Sequence, residues 1–169
     1  MAITSDYTCS YMARQTSELS YNTLDASLQV LEEQLGPHLD KFKGVVVSGF
    51  SGAVPGAIFA YNHNKQLILV RKNEDSTHGK RMEGASYLNH DDAYVVIDDF
   101  CSLGRTMCRI LDHMTKSGYG IPLYVAFYAG SWRPLPLYLD YTYVFYETEK
   151  SGLFTVTKEI NTCKTNTEE

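Results

Sequence analysis

VVIDDFCSLGRT, residues 95–106, sets an apolar run directly against two adjacent carboxylates and a turn of small residues. Val95, Val96 and Ile97 have the composition of a strand buried on both faces, and Asp98 and Asp99 mark where it reaches solvent. Ser102, Leu103, Gly104, Arg105 and Thr106 then lead into RTMCRILDHMTKSG, a helical stretch that ends at Gly118. A helix opening just past a strand leaves backbone N–H groups pointing outward, and its dipole favours an anion. Gly104 permits close approach of the chain, and the hydroxyls of Ser102 and Thr106 add donors, so a phosphate suits the turn. The paired acids suit the hydroxyls of a ribose, which are donors in need of acceptors. A ribose 5-phosphate matches both halves of the stretch. A capped helix following a strand is the plainer alternative.

Working outward, the neighbouring segments repeat the same alternation. TLDASLQVLEEQLG carries Leu24, Leu28, Leu31 and Leu35 on one helical stripe, stopped by Gly36-Pro37. GVVVSGF (44–50) is a short buried strand running into a glycine-bearing turn, and PGAIFAYNHN predicts a helix opening on Pro55, a favoured first-turn position. QLILVRK (66–72) is a second strand. NEDSTHGKRMEGAS is polar and charged, long for a connection inside a compact domain, and of the kind used as a lid. AYVVIDD, LYVAFYA and YTYVFYE (141–147) supply three further strands, and a polar tail follows Asn161. Strands alternating with helices predict an α/β domain with a mostly parallel central sheet flanked by helices. In such sheets ligands bind beyond the carboxyl ends of the strands, where SGFSGA, the 72–85 loop and DDFCSLGRT converge.

The bulk properties narrow the function. The 169 residues suit one domain with a proper core, and 44% apolar with 21% charged residues is ordinary for a globular protein. A net charge of -5 argues against a nucleic-acid binder. No apolar run approaches the roughly 20 residues needed to cross a bilayer, and MAITSDYTCSYMARQTSELS lacks the apolar segment of a secretory signal. Cys9, Cys101, Cys108 and Cys163 show no CxxC spacing, so neither zinc nor a disulfide framework is suggested, and a reduced, cytoplasmic protein is expected. A strand ending in two acids also suits a Walker B element, but the chain has no GxxxxGK[ST] and no GxGxxG after its first strand.

Three segments carry a resemblance to a known family. AYVVIDDFCSLGRT resembles the phosphoribosyl-pyrophosphate (PRPP) signature of the type I phosphoribosyltransferases. LVRKNEDSTHGKRMEG is similar to the stretch of orotate phosphoribosyltransferases in which an Arg-Lys pair precedes a mobile loop, and VVVSGFSGAVPGAIFA is similar to the family's pyrophosphate loop and following helix. Together they cover residues 44 to 118, with no such likeness over the first or last 40. The resemblance implies a phosphoribosyltransferase fold: a core over about 40–147, a variable hood made from the terminal segments, and a polar tail over 161–169. It further implies that Asp98 and Asp99 take the ribose hydroxyls and that Cys101, Ser102, Leu103, Gly104, Arg105 and Thr106 cradle the 5-phosphate. Phe50, Ser51, Gly52 and Ala53 would form the pyrophosphate loop, with Arg71 and Lys72 neutralising its charge. His78, Lys80 and Arg81 would close over the site from the mobile loop, His78 among the catalytic residues. Mg²⁺ would be held mainly by PRPP and water rather than by protein ligands. The implied partners are small molecules, PRPP and a base, with a second copy of the chain in a homodimer.

The chain departs from the family's pattern at three positions. Leu103 stands where a threonine is usual, Gly52 where many members place a lysine or arginine, and Ser76 where orotate enzymes carry a lysine, with Lys80 and Arg81 close by. The expected activity is transfer of ribose 5-phosphate to a nucleobase or related heterocycle with release of pyrophosphate. A weakened or inactive relative serving as a nucleotide-binding regulator or assembly component is the alternative, and a hydrolase or phosphorylase-like activity a further one. Trp132, in AGSWRPLP, follows the fourth strand where a stacking aromatic would lie, although core or interface packing explains it as well.

Overall fold

The computed structural model describes residues 21–71, 81–101, 104–129, 137–139 and 143–158. Lys72, His78, Lys80, Ser102, Leu103 and Trp132 therefore lie outside the described residues. Helix α1 (Tyr21–Leu35) runs into a 3-10 turn (Gly36–Lys41), followed by β1 (Gly44–Val47), α2 (Gly49–Asn62) and β2 (Gln66–Val70). A short β3 (Met82–Glu83) precedes a 3-10 turn (Ala85–Tyr87), β4 (Tyr94–Asp98), α3 (Arg105–Lys116) and β5 (Tyr124–Phe127). The last elements are β6 (Leu137–Leu139), β7 (Tyr143–Glu147) and β8 (Leu153–Lys158).

The strands form one sheet in the order β3-β2-β1-β4-β5-β8-β7-β6. Its centre is parallel: β1 pairs with β2 and β4, and β4 with β5. Each central strand buries both faces, because alternate residues point to opposite sides and each side is covered by helix. Val46, Val96 and Val125 face α3 through Met107, Ile110, Leu111 and Met114. Val45, Val47, Val95 and Ile97 face α1 and α2 through Leu31, Leu35, Phe59 and Ala60. The chain leaves β1 for β2 in one direction and continues from β4 to β5 in the other. The order reverses between β1 and β4, and the crevice at their carboxyl ends is the topological switch point, the preferred ligand position in open sheets of this kind.

Two readings are revised. Helix α2 does not open on Pro55: it begins at Gly49, with Pro55 inside it. A proline there cannot donate to the carbonyl four residues earlier, and that Ser51 carbonyl instead accepts from the Tyr128 hydroxyl at 3.0 Å. The helix therefore tolerates its proline through a tertiary partner that local propensity does not reveal. Second, strand β8 had no counterpart in the sequence reading. It inserts antiparallel between β5 and β7, setting Phe154 against Val125 and against Glu147. The centre of the sheet is parallel, as expected, and its flanks are antiparallel. Residues on either side of the 40–147 stretch also contribute to the buried faces. Leu31 and Leu35 before it, and Leu153, Phe154 and Val156 after it, are buried in the two faces of the sheet.

Candidate functional site

Asp98 ends β4 and Asp99 follows it, both at the switch-point crevice and both buried, with exposures of 5% and 6%. Each carboxylate bends back on its own chain. Asp98 Oδ1 accepts from the Asp99 amide at 3.0 Å, and Asp99 Oδ1 accepts from the Phe100 amide at 2.8 Å. The backbone of the pair is held by the continuation of β5, since the Tyr128 and Ala129 amides donate to the Asp98 and Asp99 carbonyls. Burial, and then the negative charge of Asp99, push the Asp98 carboxyl well above the usual carboxylate range. Two acids held side by side in this way gain from a cation or from hydroxyl donors placed against them.

The first turn of α2 closes one side of the crevice. Ser51 donates through Oγ to Asp98 Oδ1 at 3.3 Å, joining the β1–α2 junction to the acid pair. Gly52 makes this approach possible: a Cβ there would sit 2.7 Å from the Ile97 carbonyl oxygen and 3.3 Å from Asp98 Oδ1. One turn on, a Cβ at Gly56 would meet Val47 at 2.5 Å, so the pair spaced by four lets the helix ride directly on β1 and β4. Ser51, Gly52 and Ala53 thus belong to a helical turn rather than an extended loop. Ala53 packs on the core beneath, and Phe50 projects into solvent at 60% exposure.

The other side is the start of α3. Gly104 caps it with φ 74°, and its carbonyl accepts from the Cys108 amide at 2.9 Å, so the helix begins immediately after the acid-pair turn. Arg105 is exposed and Thr106 half-buried at its first two positions. The Cys101 side chain, expected among the phosphate-binding residues, is instead 2% exposed within the core cluster that includes Met107 and Phe127. Only its backbone is left to serve a ligand.

Arg71, expected to face pyrophosphate, donates through Nε to Glu83 Oε1 at 2.8 Å, and the same carboxylate takes its Nη2. Its amide donates to the Arg81 carbonyl at 2.9 Å, bringing the exposed Arg81 beside it. Three residues with no place in the sequence reading also reach the crevice. Ser48, 2% exposed, ends β1 as an extended residue before α2. Arg109 of α3 donates through Nη2 to Ser48 Oγ at 3.3 Å, and its buried Nε has no acceptor among the described residues. Tyr128 binds the Ser51 carbonyl and also lines a cleft of about 280 Å³ with Gln34, Phe127, Lys150 and Ser151. Arg109 had one local signal, its position four residues after Arg105 on a helix whose buried stripe runs through Met107, Ile110, Leu111 and Met114. Burial, followed by the positive charges of Arg81 and Lys116 and, more weakly, Arg109, holds His113 below its ordinary pKa against the opposing Asp112. Among the described residues no helix is long and apolar enough to cross a membrane.

No family model matches the chain, and no curated protein matches it. Solved structures do. Adenine phosphoribosyltransferase from Thermoanaerobacter pseudethanolicus is 19% identical over 64% of this chain and 68% of its own, with a TM-score of 0.52. UMP synthase from Leishmania donovani is 17% identical over 64% of this chain and 23% of its own, at 0.51. Orotate phosphoribosyltransferase from Aeropyrum pernix is 24% identical over 62% of this chain, at 0.48, and this chain spans 56% of its length. The fold of this chain is therefore that of the type I phosphoribosyltransferases, at the distance such identities imply.

Proposed function

We propose that the protein is a PRPP-dependent phosphoribosyltransferase that moves ribose 5-phosphate to a nucleobase or related heterocycle and releases pyrophosphate. One observation carries this: at the switch point of a phosphoribosyltransferase fold, a buried acid pair lies between the starts of two helices and is bonded to one through Ser51. Asp98 and Asp99 would accept the ribose hydroxyls. The turn from Cys101 to Thr106, ending on the Gly104 cap of α3, would offer backbone N–H groups to the 5-phosphate. The first turn of α2, Phe50 to Ala53, would face the pyrophosphate, with Arg71, Lys72, His78, Lys80 and Arg81 approaching from the 71–81 side. The working form would be a cytoplasmic homodimer acting on small molecules.

The residues fit Mg²⁺ in a specific way. Two adjacent carboxylates are hard oxygen donors suited to it, yet among the described residues no group of three or more His, Cys, Asp or Glu could enclose an ion. Mg²⁺ would enter with the diphosphate of PRPP and offset charge on the departing oxygens. The chain's own task is to orient the ribose and to stabilise negative charge gathering on the leaving group as the anomeric carbon takes on oxocarbenium character. Exclusion of water is equally required, since the activated sugar would otherwise hydrolyse. Because the buried Asp98 carboxyl holds its proton tightly, ligands that need its ionised form would expel a proton on binding.

A second reading, a nucleotide binder without turnover, is favoured by Gly52, where contact with the Ile97 carbonyl leaves no room for a side chain directed at pyrophosphate. Calorimetric titration with PRPP and Mg²⁺ tests both. Wild-type binding that disappears in Asp98→Ala/Asp99→Ala, with pyrophosphate released in the presence of a base, is expected for the enzyme. Binding with no release against any base identifies the binder. Absence of binding by folded wild-type protein refutes both.

A further inference from the structure

The geometry points to Arg109 as the residue that binds the diphosphate end of the substrate, a cation delivered from α3 to a helix turn that has none of its own. This rests on the phosphoribosyl-transfer reading above. The first turn of α2 contributes Gly49, Phe50, Ser51, Gly52 and Ala53, all uncharged. Position 52, which faces the acid pair, cannot carry a longer side chain, because its Cβ would stand 2.7 Å from a backbone oxygen. Any side-chain charge for an anion there must arrive from another element. Arg71, on the β2 side, is bonded to Glu83.

Arg109 reaches the required place. Its Nη2 lies 3.3 Å from Ser48 Oγ, and Ser48 is the buried residue that joins β1 to α2. Among the described residues no carboxylate forms an ion pair with it, and its Nε is buried with no acceptor. A guanidinium has five donors in a rigid fork and is not deprotonated in proteins. Held half-buried against the Ser48 hydroxyl, it has donors to offer an anion, and bidentate pairing with phosphate oxygens is the strongest use of that fork. Its direction selects which phosphate. Arg109 is bonded to the residue that opens α2, away from the Gly104 turn that opens its own helix, so it serves the diphosphate rather than the 5-phosphate.

Titration of the intact protein with inorganic pyrophosphate and, separately, with ribose 5-phosphate tests the assignment. Arg109→Gln is expected to weaken pyrophosphate about ten- to a hundredfold, the usual range for loss of one charge-assisted contact, and to change ribose 5-phosphate less than twofold. Lys116→Gln removes the same charge from the exposed end of α3 and should alter neither. Equal losses for both ligands in Arg109→Gln, unchanged pyrophosphate affinity, or a matching loss in Lys116→Gln each overturns the assignment. Should Arg109→Gln fail to fold, the Arg109 Nε–H resonance in wild-type protein decides. It should move when pyrophosphate is added and stay with ribose 5-phosphate, and a stationary resonance refutes the role. A wild-type protein that binds ribose 5-phosphate but not pyrophosphate sinks the inference alone. One that binds pyrophosphate through Arg109 but neither ribose 5-phosphate nor PRPP sinks the phosphoribosyl reading alone.

Discussion

Tyr128→Phe removes one oxygen, and its consequence depends on a residue with which it makes no described hydrogen bond. The hydroxyl donates to the Ser51 carbonyl at 3.0 Å, the acceptor that Pro55 cannot engage for want of an N–H. A hydrogen bond of this kind contributes about 1 kcal/mol net, rising to about 3 kcal/mol only when the stranded partner is fully buried. Ser51 is half-buried, so about 1 kcal/mol is expected. In a Pro55→Ala background an amide is again available to Ser51, and the same Tyr128→Phe change should cost under ~0.3 kcal/mol, near the limit of simple additivity. Pro55→Ala has effects of its own. It relieves a helix-interior proline, worth up to ~3 kcal/mol, but loses two buried carbons at about 0.8 kcal/mol each and some unfolded-state restriction. The cycle cancels these. Urea unfolding of the four proteins measures the coupling, and an equal cost of Tyr128→Phe in both backgrounds would refute the claim that the hydroxyl substitutes for a missing helix bond.

Gly52→Ala places a carbon 2.7 Å from the Ile97 carbonyl and should cost about 1–3 kcal/mol in urea unfolding; a neutral result would mean that α2 can lift away from β4 freely. The pH dependence of Asp98 has a definite sign. Its folded pKa is raised above the ordinary 3.8, so the fold binds that proton more tightly than the unfolded chain does, and its contribution is full below that value. Stability should fall as pH rises from about 4 through the raised value, relative to Asp98→Asn, which lacks the group. If wild type instead gains on Asp98→Asn as pH rises, Asp98 is stabilised as an anion and the argument for proton release fails. Gln34→Leu strands the Ser151 and Phe127 carbonyls, which now accept its Nε2 at 2.8 and 3.3 Å, at an expected cost of about 1–3 kcal/mol by thermal or urea unfolding. An unchanged midpoint would show that the β7–β8 turn holds to α1 without it.

The parallel centre of the sheet was legible because its strands are wholly or largely buried and so read as continuous apolar runs, GVVV, QLILV and YVVID, each followed by a punctuating turn. The acid pair was legible for the same reason, as carboxylates interrupting such a run. Strand β8 was not. It buries Leu153, Phe154 and Val156 while exposing Thr155, Thr157 and Lys158, a half-polar pattern that carries little weight without its neighbours β5 and β7. Pro55 misled for a different reason. The first helical turn is the common place for proline, and the exception depends on Tyr128, seventy-three positions after Pro55 in the chain. The pairing of Arg71 with Glu83 was not legible either, because it forms across the β2–β3 pairing.

Those failures share a cause with the chemistry of the site. A helix start can lie against an acid pair only if its first turn is nearly bare, and here bareness is enforced twice, by Gly52 against Ile97 and by Gly56 against Val47. The close approach is then fixed by bonds that cross the sheet edge, Ser51 to Asp98 and Tyr128 to Ser51. Such a turn can offer backbone donors and a dipole but no cationic side chain. An anion drawn there by the dipole alone would face two buried carboxylates, and Asp98 has its pKa raised by burial and then by the charge of Asp99. Positive charge from a second element is needed to offset them, and the guanidinium of Arg109, which has no carboxylate partner among the described residues, lies against the residue where β1 becomes α2. The packing that empties position 52 and the placement of Arg109 are thus two halves of one electrostatic requirement, and changing Arg109 alone should weaken diphosphate binding without disturbing the ribose end.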